Sequence, residues 1–90
     1  MTRLDGLRQI AGWREGACVR LGPIDSVAQA RAVVALAAGP LRASRLPPGV
    51  VGALVRRRVV VADGGICELA PSFRAWLGAG EKSSGVSFLC

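Results

Sequence analysis

Arg56, Arg57 and Arg58 stand side by side in the sequence, and Arg42 and Arg45 precede them with Ser44 between. A guanidinium is a permanently charged fork of N–H donors, so such a cluster grips phosphate or carboxylate rather than transforming it. Ser44 adds a neutral hydroxyl that both donates and accepts. If all five arginines neutralise phosphates, log affinity falls with log salt at a slope of roughly −4 to −5. The chemistry these residues offer is polyanion binding.

The groups that covalent chemistry needs are missing. The sequence has no histidine, which removes the commonest general base and the usual partner of a serine or cysteine nucleophile. The six carboxylates, Asp5, Glu15, Asp25, Asp63, Glu68 and Glu81, have no close paired spacing. Gly64-Gly65 is not followed by a Lys-Ser/Thr pair, so it reads as a hairpin and not as a phosphate loop. The three cysteines form no CxxC pair, which argues against zinc. Cys18 and Cys67 are expected as small buried hydrophobes, and Cys90 as an exposed thiol. The expectation is a protein that is not an enzyme and takes no cofactor or metal.

Ninety residues make one domain with a modest core. The net charge of +6 favours polyanions, nucleic acid first and anionic membrane second. All the basic residues but Lys82 are arginine, beside abundant Ala, Gly and Val, a pattern that GC-rich coding produces without selection for binding. Clustering therefore weighs more than total charge. The uncharged runs 32–41 and 46–55 are well short of the ~20 residues of a membrane span. Asp5 and the lack of an apolar h-region argue against a secretory signal, which leaves the cytoplasm as the expected compartment.

The elements that must position the arginines follow from punctuation. Residues 2–14 carry Leu4, Leu7 and Ile10 at helical spacing, with Thr2 as a cap and Gly6 and Gly12 as weak points. This helix either packs on its own domain or serves as a dimerisation arm. Residues 16–21 form a short strand or an extended connector. A helix over 25–38 starts at Ser26 and Gln29, an S/T-x-x-Q capping box, and stops at Gly39-Pro40. Pro47 or Pro48 suits the first turn of another helix running to about Arg57. That helix buries Val50, Val51, Leu54 and Val55 and turns Gly49, Gly52, Ala53, Arg56 and Arg57 outward. Val59-Val60-Val61 and Ile66–Leu69 flank the hairpin turn Asp63-Gly64-Gly65. Pro71-Ser72 opens a last helix with Phe73, Trp76 and Leu77 facing inward. The tail, 79–90, reads as flexible, with Val86, Phe88 and Leu89 as a lesser candidate for a docking hook.

Over residues 24–78 this order resembles the winged helix-turn-helix domain of small prokaryotic transcriptional regulators. The resemblance implies an α+β fold with a three-helix core, a two-stranded β-hairpin wing and a closing helix, with residues 1–23 added in front. It assigns 41–45 as the second helix and 47–57 as the recognition helix. Its implied function is regulation of transcription by binding double-stranded DNA, as a homodimer on a two-fold site. Arg42, Ser44, Arg45, Arg56, Arg57 and Arg58 would form the contact surface. The chain departs from the family in two places. The first two turns of the recognition helix carry Pro47, Pro48, Gly49, Gly52 and Ala53, none of which hydrogen-bonds a base edge through its side chain. The wing tip carries Asp63 where the family places Arg or Lys. The alternative is a protein-interaction module for an acidic partner, with Arg56–Arg58 as a solvated helix end favoured by the dipole at ~0.3–1 kcal/mol each.

Overall fold

The computed structural model describes residues 3–79. Among them are four α-helices, α1 Arg3–Ala11, α2 Val27–Ala37, α3 Pro48–Arg56 and α4 Pro71–Ala79. Three strands, β1 Leu41–Arg42, β2 Val60–Asp63 and β3 Ile66–Leu69, form an antiparallel sheet in the order β1-β3-β2. The fold is α+β.

The capping box stands where its spacing puts it, with Ser26 as the N-cap, so α2 begins at Val27, two residues inside the expected range 25–38. Ser26 Oγ accepts from the Gln29 amide at 3.1 Å, and Gln29 Oε1 accepts from the Asp25 amide at 3.0 Å. Val27, Ala30, Ala32, Val33 and Leu36 are all buried, so α2 is covered over a wide arc of its circumference. Against that arc lies α1, whose Leu7 and Ile10 are fully buried. Of the two alternatives for the N-terminal stripe, packing on its own domain is the one observed. Arg31 of α2 closes the C-terminal end of α1, donating from Nε to the Ala11 carbonyl at 2.9 Å and from Nη2 to the Trp13 carbonyl at 2.7 Å. Carbonyls at and just past a helix end lack the next turn's amides, and Arg31 supplies donors to two of them. Thr2 lies outside the described residues.

Residues 41–45 do not form the expected second helix. Leu41 and Arg42 pair with Cys67 and Ile66 of β3, and Ala43–Arg45 is a single 3₁₀ turn closed by the Leu46 amide on the Ala43 carbonyl at 3.1 Å. The prolines explain this. Pro40 precedes the segment and Pro47 follows it, so a helix there could not grow past its costly nucleus. Leu46, next to Pro47, is extended at φ −121 and ψ 150, as the proline ring requires. The sheet therefore has three strands rather than the two of the expected hairpin.

Gly64 and Gly65 adopt φ of 59° and 80°, the two positive values a type I′ hairpin demands. The register pairs Val60 with Leu69 and Ala62 with Cys67. Val60, Cys67 and Leu69 are buried, while Val61, Ile66 and Glu68 face out. Phe73 and Leu77 of α4 complete the core. Trp76, half-buried, stacks on Phe73 at 5.3 Å between ring centroids. Arg3 joins α1 to α4: its guanidinium sits 4.3 Å above the Trp76 ring and donates to the Trp76 carbonyl at 2.7 Å. In the connector, Leu21 and Ile24 form an antiparallel bridge around Gly22-Pro23.

Cys67 is a fully buried free thiol, as expected. Cys18 is not a buried filler; it is exposed and disulfide-bonded. Val19, the next residue in this extended stretch, is the one turned inward. The expectations for Cys90 and for the tail beyond Ala79 fall outside the described residues. Among the described residues no helix is long and apolar enough to cross a membrane.

Candidate nucleic-acid interface

All six predicted contact residues are exposed, in two groups at opposite ends of α3. Arg42, Ser44 and Arg45 lie on β1 and the 3₁₀ turn before the helix; Arg56, Arg57 and Arg58 lie at its C-terminal end. From Pro48 to Arg56 the helix is about 12 Å long at 1.5 Å per residue. Between the groups, Gly49, Gly52, Ala53 and Arg56 recur at i, i+3, i+4 and i+7 and so share one stripe. Nothing lies within 4 Å of where a Cβ on Gly49 or Gly52 would stand. Leu54 is fully buried and Val50 and Val51 are partly so. Val55, expected to be buried with them, is 40% exposed at the margin of the helix.

Arg57 does not belong with the outward cations. Its Nη2 is 2.9 Å from Asp25 Oδ2, and its Nη1 donates to the Pro23 carbonyl at 2.7 Å. The reason is its phase on the helix. Arg57 follows Leu54 by three residues and Val50 by seven, so it continues the stripe that faces the core. Its side chain leaves the helix toward the connector ahead of α2 and meets the carboxylate there. The hydrogen bond from Arg57 holds the Asp25 carboxyl below its usual value, aided by the Arg57 charge, Gln29 and the charge of Arg20 and opposed by partial burial.

Arg58 occupies the left-handed region at φ 61°. It is the C′ residue of a Schellman motif: its amide donates to the Val55 carbonyl at 3.0 Å, and the Val59 amide reaches the Leu54 carbonyl at 2.9 Å. Leu54 and Val59, both buried, bring together the apolar positions that usually accompany the motif. Glycine is the common residue at C′ because a Cβ there is disfavoured. Here the position presents a guanidinium instead.

Arg42 and Ser44 border an open groove of about 390 Å³ against the hairpin tip, formed with Ala43, Gly64, Gly65 and Ile66. The Ala43 amide donates to the Gly65 carbonyl at 2.8 Å, which ties the 3₁₀ turn to the hairpin. Asp63 is exposed at the base of the turn. The side chains of Arg42, Arg45, Arg56 and Arg58 make no hydrogen bond or ion pair with the described residues, whereas those of Arg3, Arg31 and Arg57 are bound to carbonyls and, for Arg31 and Arg57, to Glu15 and Asp25. Among the described residues, four guanidiniums without a side-chain partner therefore bracket α3.

Asp25 is the residue of this region that sequence reasoning missed. The one available signal was the phase that Arg57 shares with Val50 and Leu54, which turns it toward the core side of α3 without naming the acid it meets. Comparison with family models, with curated proteins and with solved structures gave no match for this chain.

Proposed function

We propose that this chain is a non-catalytic, winged-helix-type protein that binds double-stranded DNA in the cytoplasm and acts on transcription through that binding. The observation that carries the reading is the set of four guanidiniums without partners among the described residues, at Arg42, Arg45, Arg56 and Arg58, placed around both ends of a helix with one open face. The order helix, strand, turn, helix, hairpin, with the first short strand on the far side of β3, supports the winged-helix element of the proposal. Cations grouped on one element are the electrostatic footprint of phosphate binding. The proposal includes a homodimer on a two-fold site. Its interface lies elsewhere than on the Leu7 and Ile10 stripe, which α2 already covers.

A gel shift with random duplex DNA at two salt concentrations tests the reading. A retarded complex is expected at 50 mM salt and its loss by about 0.3 M, with a log–log slope of roughly −3 to −4 for four phosphate contacts. No shift at low salt ends the DNA reading. It would favour the second one, a module that binds a protein, for which the exposed Val61 and Ile66 on the outer face of the sheet are the supporting observation.

A further inference from the structure

The unpaired cations and the side chains between them differ in what they can recognise. Arg45 precedes α3, Arg56 ends it and Arg58 follows it, so charge sits at both ends of a helix about 12 Å long. The major groove of B-DNA is also about 12 Å wide. Phosphates line both of its edges, and contacts to them fix position without reading sequence. Sequence is read from base edges by Arg, Lys, Asn, Gln, Glu, Asp, Ser or Thr side chains. The outward stripe of α3 before Arg56 is Gly49, Gly52 and Ala53, and Pro47 and Pro48 precede it. None of these side chains has a hydrogen-bonding atom.

Resting on the proposed function, we propose that α3 grips duplex DNA by phosphates on both edges of one major groove and is indifferent to base sequence. The guanidiniums of Arg42 and Arg45 hold one edge and those of Arg56 and Arg58 the other. The bare helix between them lets the backbone approach the groove floor without selecting a base. Discrimination among duplexes then comes only from groove width and deformability, which vary smoothly with sequence.

The test is selection from a random duplex library followed by affinity measurement on the full chain. The expected result is no enriched motif and affinities within about fivefold across unrelated sequences. A motif preferred by a hundredfold or more overturns the inference while leaving DNA binding intact. Absence of binding to any duplex overturns the proposed function instead. Two variants probe the close approach directly. Gly52→Ala adds one methyl into open space and serves as the folded control. Gly52→Leu should keep the cooperative thermal transition of the control yet bind random duplex at least tenfold more weakly, because the added side chain holds the helix off the groove. Unchanged affinity in the leucine variant means α3 is not the inserted element, and the inference fails.

Discussion

Asp25 Oδ2 stands 2.9 Å from Arg57 Nη2, and this pair takes the central member of the arginine triplet out of the basic surface. Both side chains are about 40% exposed, so the bond is modest in energy, in the range of ~0.2–1 kcal/mol for surface pairs. Its electrostatic consequence is larger than its stability. It places a negative charge beside the patch and holds one guanidinium pointing back at the chain.

Replacing Asp25 with Asn should therefore strengthen DNA binding. The substitution removes the acid and leaves Arg57 held by the Pro23 carbonyl alone, a single exposed hydrogen bond that a phosphate can displace. Affinity for random duplex at low salt should rise by about three- to tenfold, and the salt slope should steepen by about 0.9, the increment for one added phosphate contact. Arg57→Ala should leave the slope nearly unchanged, while Arg56→Ala should reduce it by about 0.9. Fluorescence anisotropy titrations across a salt series read all three. An Asp25→Asn protein that binds more weakly would show that Arg57 reaches the duplex from its present position.

The same pair has a defined pH signature. The Asp25 carboxyl is held below its ordinary value mainly by the Arg57 hydrogen bond. A lowered folded-state value means the stabilisation is complete above the unfolded carboxyl value of about 3.9 and disappears as pH falls through the lower folded value. Thermal melts of the wild type and Asp25→Asn should differ by a few tenths of a kcal/mol at pH 6, after allowance for solvent screening of the pair. The difference should close as pH falls below the unfolded carboxyl value of about 3.9 and through the lower folded one. A gap that persists in strong acid would assign the effect to something other than the ion pair, because the Ser26 cap and the Asp25 amide bond to Gln29 are both kept in the variant.

How far the sequence discloses this arrangement depends on whether a local rule or a contact decides each residue. The hairpin at Gly64-Gly65 and the Ser26 cap are local, and both stand where spacing puts them. Phe73 and Leu77 follow from helical period alone. Residues 41–45 defeat local reading because a strand of two residues has no pattern of its own. Leu41 and Arg42 are a strand only because β3 offers a free edge. Arg57 fails for a different reason. It was assigned by its charge to the outside, but its helical phase puts it with Val50 and Leu54, and a long side chain can follow that phase to a carboxylate 32 positions earlier in the chain. Charge says that a residue wants water or a partner, and only the fold says which.

Gly22 ties the connector to α4 through a close approach that no spacing rule announces. It has φ of 59°, and a Cβ there would stand 2.5 Å from two atoms of the Trp76 ring. That ring cannot easily retreat, because Phe73 stacks on it and Arg3 sits above it. Gly22→Ala should cost about 2 kcal/mol or more, combining the left-handed penalty with overpacking. Urea unfolding followed by tryptophan emission should show a lower midpoint with an unchanged slope. Arg3→Ala removes one of the restraints on the ring, so in that background the penalty for Gly22→Ala should shrink.

Arg58 is the position where stability and binding should part. A non-glycine residue in the left-handed region costs on the order of 1 kcal/mol, and this arginine makes no hydrogen bond or ion pair through its side chain to offset that. The Schellman bonds at 3.0 and 2.9 Å come from backbone groups and would survive any side chain at the site. Arg58→Gly should therefore stabilise the fold by about 0.5–1 kcal/mol, less whatever glycine's added freedom in the unfolded chain returns. If Arg58 holds a phosphate, the same variant should bind duplex DNA more weakly, with the salt slope reduced by about 0.9. Arg58→Asn, which tolerates the left-handed region, separates the terms: stability should lie between arginine and glycine, while binding should match glycine. A glycine variant that is more stable and binds as tightly as the wild type would remove Arg58 from the interface and leave its backbone conformation without a functional reason.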